Sequence, residues 1–174
     1  MAAGGFIISA ALIVGVWVRE GYTDKAVIPV RGDVPTIGAG RTKGVHMGDV
    51  TNPVRELNFL LRNLEDNYGA GIRKCIKVPL YQHEFDALVD LSYNAGVGAV
   101  CREIAPKFNS SKTDEDYTAA CSAIENWRIT VGGRDCRIKN NNCRGLVSRR
   151  KTQREQCEGK SWNQTDSVAP AGSL

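Results

Sequence analysis

Glu20-Gly-Tyr-Thr-Asp-Lys-Ala-Val-Ile-Pro-Val-Arg-Gly-Asp-Val-Pro-Thr-Ile-Gly-Ala-Gly-Arg-Thr42 is the stretch that decides the fold of this 174-residue chain. An apolar run ends on the acid Glu20, which the pattern predicts as the end of a helix. A short segment punctuated by Gly and Pro follows, carrying a second carboxylate, Asp33, and a hydroxyl, Thr36. Segments of this kind read as a β-hairpin. Cleavage of a glycosidic bond needs one acid to protonate the leaving oxygen. It also needs a polar group across the bond to position water or stabilise the cation. A helix-borne Glu followed by a hairpin with acceptors supplies both. Gly32-Asp33 is also ordinary turn chemistry, so both readings of Asp33 stand. Asp24, one helical turn after Glu20 if the helix continues, is a rival second acid.

Working outward, residues 1–18 contain no charged side chain. An apolar stretch of that length lies at the lower limit for a membrane span, and its many Gly, Ala and Ser residues weaken its hold on lipid. A cleaved signal peptide would begin with Lys or Arg and close on a small-residue exit site. Neither is present, and cleavage near residue 18 would remove the helix that carries Glu20. Retention is therefore expected, with an ordinary buried N-terminal helix as the plainer reading.

Net charge is +4, with the basic excess after residue 127. Such a face is commonly just solvated, and it also suits anionic cell wall or lipid. Nucleic acid is disfavoured, because no reading motif or aromatic platform accompanies the basic residues. The six cysteines, Cys75, Cys101, Cys121, Cys136, Cys143 and Cys157, imply an oxidising compartment. Their spacing and the two histidines do not make a zinc site. Cys136 and Cys143 flank a polar loop, which permits a local bridge. No motif calls for a metal or an organic cofactor.

Asn52-Pro53 reads as a helix start with Pro at the first helical position. Leu57, Leu60, Leu61, Leu64 and Tyr68 recur at helical spacing, so a helix is predicted over 53–68, interrupted by Gly69 and Gly71. Pro79 and Gln82 introduce another. Tyr81, Phe85, Leu88, Val89 and Ser92 fall on one face of it and Asp86 and Asp90 outward, and Gly96 and Gly98 end it. Thr113 caps a helix from Asp114 to about Trp127, with acids in its first turn. Gly132-Gly133 opens a loop through Asn142, and a last long helix runs from Leu146 to Glu158. Residues 161–174 read as a flexible tail.

Three ordered blocks resemble the phage lysozyme (endolysin) family, glycoside hydrolase family 24. The first is Glu20-Gly21 with Thr36-Ile37-Gly38 and Gly40. The second runs from Gln82 to Val89 and from Ser92 to Gly98, and the third is Gly145-Leu146-Val147-Ser148-Arg149-Arg150 with Cys157. Two positions depart from the family pattern. The slot that usually holds Asp or Cys falls on Pro29 or Val30, with one extra residue before Thr36, and Arg41 stands where His is usual.

The resemblance implies an α+β, lysozyme-like fold, with a small β-hairpin lobe, a larger helical lobe and a cleft between. It implies an endolysin hydrolysing the β-1,4 bond between N-acetylmuramic acid and N-acetylglucosamine in peptidoglycan. Glu20 would be the general acid, Asp33 the water-orienting or cation-stabilising group, and Thr36 a further water ligand. One of Arg149 and Arg150 would hold Glu20, with Arg149 favoured. By the family's layout Cys75 pairs with Cys157 and Cys101 with Cys121. Residues 1–18 resemble a signal-anchor-release segment. That implies a monomer held first in the inner membrane, then soluble in the periplasm, and functionally linked to a holin or pinholin. The expected organisation is this segment, a catalytic domain over 19–160, and the tail. A lytic transglycosylase acting on the same bond would need only one acid, and a catalytically silent wall-binding protein could share the fold.

Overall fold

The computed structural model describes residues 7–160 of the chain. Residues 1–6 of the apolar segment and the predicted tail 161–174 lie outside the described residues. The described residues form two compact units, Ile7–Asn67 and 68–160. The domain expected over 19–160 thus draws on both.

The first unit opens with α1 (Ala10–Glu20). The Ser9 hydroxyl caps it by accepting from the Leu12 amide at 3.1 Å, which satisfies one of the donors a helix start leaves open. Leu12, Gly15 and Val16 form its buried face, whereas Val14 and Val18 are exposed. Eleven residues of helix span about 16 Å. No helix among the described residues is long and apolar enough to cross a membrane.

Strands β1 (Thr23–Val27) and β2 (Thr36–Gly38) pair antiparallel, Thr23 with Gly38 and Val27 with Thr36, with a register irregularity between. A bridge from Lys25 to Val50 adds a third extended segment beside β1. Ala26, Ile37 and Val45 form the small core beneath the hairpin. Helix α2 (Pro53–Asn63) begins as predicted: the Asn52 side chain accepts from the Arg55 amide at 2.9 Å, and Pro53 occupies the first turn. It packs against α1.

The predicted interruption at Gly69 and Gly71 does not occur. A π turn over Leu64–Gly69 carries the helix onward into α3 (Ala70–Cys75). Gly69 closes the wider turn and Gly71 sits within α3, where it is needed for packing: a Cβ there would come within 2.5 Å of Val97 Cγ1.

In the second unit, α4 (Gln82–Ala95) packs against α3, α5 (Val97–Glu103) and α8 (Arg144–Cys157). Helix α6 (Ala105–Asn109) leads into α7 (Asp114–Glu125). Thr113 and Asp116 form a reciprocal capping box at the start of α7. Gly96, with φ 85°, ends α4.

Helix α4 is buried on every side from Glu84 to Ser92, so the outward placement predicted for Asp86 and Asp90 is corrected. A buried acid is tolerable only when hydrogen-bonded. Asp86 accepts from Gln82 Nε2 at 3.0 Å, and Asp90 accepts from Gln153 Nε2 at 2.8 Å. Tyr81, expected on the apolar face, is exposed at the helix start. The loop predicted after Gly132 contains a hairpin, β3 (Thr130–Val131) with β4 (Arg134–Asp135). Gly132 and Gly133 both have positive φ, as a two-residue turn between twisted strands demands.

The expected bridges Cys75–Cys157 and Cys101–Cys121 are replaced by Cys75–Cys101 and Cys121–Cys157, whereas Cys136–Cys143 is present. The reason is helix adjacency. Cys75 and Cys101 lie on α3 and α5, and Cys121 and Cys157 on α7 and α8. Their Cα atoms are 5.6 and 5.5 Å apart, within the span a disulfide can bridge.

Candidate active site

Glu20 is the last residue of α1 and is exposed. Gly21 stops the helix there: with φ 72° its amide turns back to the Trp17 carbonyl at 3.1 Å. The chain then enters β1 at Thr23, with Tyr22 stacked on Trp17 at 5.1 Å between ring centroids. Because Thr23 pairs with Gly38, the strand that follows Glu20 lies beside the strand that begins with Thr36.

Asp33 and Thr36 lie in the loop between β1 and β2 and at its exit. The Asp33 amide donates to the Val30 carbonyl at 2.9 Å, closing a turn in which Gly32 has φ 89°. Asp33 Oδ1 accepts from the Val34 amide at 2.8 Å, and Thr36 Oγ1 donates to the Val34 carbonyl at 3.2 Å. The two candidate side chains therefore grip the same residue. Asp33 is exposed and Thr36 half-buried. Asp24 is exposed on β1, its carbonyl accepting from the Thr51 amide at 2.9 Å.

Arg149 and Arg150 belong to α8, in the other unit. Arg150 is buried. Its Nε donates to the Trp127 carbonyl at 3.1 Å and its Nη1 to Gln153 Oε1 at 2.7 Å, and Gln153 passes on to Asp90. Burial pulls its pKa down to about 10, aided by the neighbouring Arg149 charge and opposed by Asp90. Arg149 is half-buried beside it.

The sequence reading missed a buried carboxylate next to the hairpin. Glu56 lies on the inner face of α2 and receives two bonds from Arg41, from Nε at 2.9 Å and Nη2 at 2.7 Å, and one from Thr51 Oγ1 at 2.6 Å. The Arg41 bond is the main reason the Glu56 carboxyl is held below its ordinary pKa. Burial opposes it, and the Thr51 bond adds to it. Glu56 in turn raises Arg41. A signal was available: Glu56 stands four residues before Leu60, on the stripe that reads as core.

Glu56 also explains Gly38. A Cβ at Gly38 would overlap the Glu56 side chain, and the residue has φ 64°. Gly38→Ala is expected to destabilise the protein by roughly 2–4 kcal/mol, through left-handed strain plus displacement of a buried ion-pair partner. Urea unfolding checks this, and a change within about 0.5 kcal/mol of wild type, the range of an ordinary surface substitution, would count against it. Among the described residues no cluster of His, Cys, Asp and Glu could hold a metal.

A helix closed on Glu20 by Gly21 is followed by a short antiparallel hairpin and then by further helices, and comparison with known proteins places the chain among the lysozyme-class glycoside hydrolases. The family model for phage lysozyme matches residues 18–153, and the chain belongs to that family. The SAR-endolysin of Pseudomonas phage phiKMV is 31% identical over 149 residues, covering 85% of this chain and 86% of the relative. The SAR-endolysin of Escherichia phage 933W is 42% identical over 86 residues, 49% of this chain and 46% of that one. Among solved structures, the endolysin of Escherichia coli O157:H7 phage FAHEc1 superposes with a TM-score of 0.70 at 27% identity. That match covers 97% of this chain and 99% of that chain. Family membership makes peptidoglycan the substrate.

Proposed function

We propose that this chain is an endolysin that hydrolyses the β-1,4 bond between N-acetylmuramic acid and N-acetylglucosamine, lysing the host cell at the end of phage infection. The observation that carries the reading is the position of Glu20. It lies at a helix end stopped by Gly21, and the strand that follows is paired with the strand bearing Thr36. Glu20 protonates the glycosidic oxygen, and Thr36 helps hold the attacking water. Asp33 orients that water or stabilises the oxocarbenium-like state. The family resemblance makes Arg149 the supporting arginine of the reaction, and Arg150 is engaged with Trp127 and Gln153.

One observation favours a second reading. Asp33 Oδ1 is engaged with the Val34 amide, as a turn residue would be. A lytic transglycosylase needs no second carboxylate, since the substrate's own C6 hydroxyl attacks. Mass spectrometry of muropeptides released from purified murein decides between them. Hydrolysis leaves reducing ends, and transglycosylation leaves 1,6-anhydro ends. A chain that releases neither would be a silent wall-binding protein. Asp33→Asn supplies the companion test, because its amide oxygen still accepts from Val34 and the turn survives. Hydrolysis is expected to fall by at least roughly 10²-fold, and full activity in this variant would reduce Asp33 to its turn role.

Two relatives named SAR-endolysin support export through residues 1–18, an inner-membrane stage, and release into the periplasm, where we propose the chain acts as a monomer. A holin or pinholin would be the functionally linked partner. In this reading α1 is the released form of the segment, with Leu12 and Val16 turned into the protein.

A further inference from the structure

A two-stranded hairpin is marginal by itself in water, and β2 is only Thr36–Gly38. Something outside the hairpin must fix its place, and the candidate is built around Arg41. Backbone bonds of 2.9 and 3.0 Å tie Arg41 to Ile37, the central residue of β2. Its guanidinium lies 4.5 Å from the centre of the Phe59 ring and forks onto Glu56, so the side chain is fixed to α2 at two places. The Glu56 side chain occupies the space a Cβ of Gly38 would need. Strand β2 is thus held from both ends of an ion pair whose Glu56 side is buried and whose Arg41 side is half-buried.

We propose that Arg41 and Glu56 are positioning residues for the reaction: their ion pair sets the strand carrying Thr36 against β1, the strand that follows Glu20, and holds it there unchanged across neutral pH. The proposal rests on the assignment of Glu20 and Thr36 made above. The groups facing the pair are few. Asp49 acts on Arg41. Arg55 and Thr51 act on Glu56. The Tyr22 hydroxyl feels Asp24 and Glu56 and is pushed up chiefly by burial. Glu56 is depressed and Arg41 raised. The Glu56 contribution to stability is therefore complete above its ordinary value of 4.5. It is lost only as pH falls through the lower folded value.

Arg41→His in the full chain tests this, because imidazole is charged only near and below about pH 6.5. The turnover number and KM on murein are measured from acid to mildly alkaline pH, beside the backbone amide signals of Thr36, Ile37 and Gly38. Expected is a turnover number near wild type at the acid end, falling roughly 10- to 100-fold as the imidazole deprotonates. KM should hold, and the amides should shift with the same midpoint. A profile parallel to wild type with unmoved amides would overturn the proposal.

Should Arg41→His not fold, Arg41→Lys decides, since it keeps the charge and loses the fork. A lower turnover number at unchanged KM with shifted Thr36 amides supports positioning, and wild-type values for all three overturn it. Glu20→Gln run in parallel separates the two levels. Its full activity would overturn the assignment on which the proposal rests, a result no Arg41 variant can produce.

Discussion

Replacing Glu20 with glutamine is expected to lower murein cleavage by roughly 10²- to 10⁴-fold, the usual contribution of a positioned proton donor, while leaving the fold intact. Both halves follow from the end of α1. Glutamine matches glutamate in size but has no acidic proton to deliver. The side chain at this position is exposed and takes no part in the buried face of Leu12, Gly15 and Val16. The Ser9 cap and the Gly21 stop are backbone and neighbouring-residue features that the substitution does not touch. Thermal unfolding should therefore report a change within about 0.5 kcal/mol, as for surface substitutions generally. Turbidity loss of permeabilised cells measures the activity. A variant that clears them at the wild-type rate would remove Glu20 from the chemistry.

The second large effect belongs to stability. Cys121 and Cys157 are 36 residues apart in sequence, and closing a loop of that length stabilises by about 4 kcal/mol in the chain-entropy model. Both residues are buried, so replacing both with alanine also leaves a small void. For a unit of this size the thermal midpoint should fall by roughly 15 °C or more. The Cys136–Cys143 bridge closes only 7 residues and should give about 2 kcal/mol by the same model. Calorimetry of the two double variants checks the order. Peptide mapping without reduction checks the connectivity: fragments joining Cys75 to Cys157 would contradict the helix pairing described here. An unchanged midpoint in the Cys121/Cys157 variant would contradict the loop-closure argument.

Local signals were legible in the sequence wherever one residue could satisfy its neighbours. Asn52-Pro53 starts α2, Thr113 caps α7 and Gly96 ends α4, each through bonds spanning three or four residues. The candidate site shared this property, since Glu20 and Thr36 are placed by a helix end and the hairpin after it. The misses depended on distant partners. Asp86 and Asp90 read as outward because two acids on a helix normally face water. The donor that makes Asp90 tolerable in the core, Gln153, lies 63 residues away. Cysteine pairing followed which helices lie side by side, which no spacing discloses. Gly69 and Gly71 read as breaks because the helical period has no place for a π turn, which absorbs one residue without ending the helix. Arg41 was visible as a departure, but its reason required Glu56, a residue that looked like part of an ordinary amphipathic helix.

All six cysteines lie from Cys75 onward, and residues 1–67 contain none. Re-forming the segment that bears Glu20, Asp33 and Thr36 therefore needs no oxidant and no disulfide isomerase. The helical segment, once its three bridges have closed, keeps a covalent record of having folded. A brief insult by heat or denaturant should unfold this segment and let it return quickly, whereas a reductant should leave damage that outlasts its removal. The two halves of the molecule thus differ in memory: one is rewritable, and the other is written once.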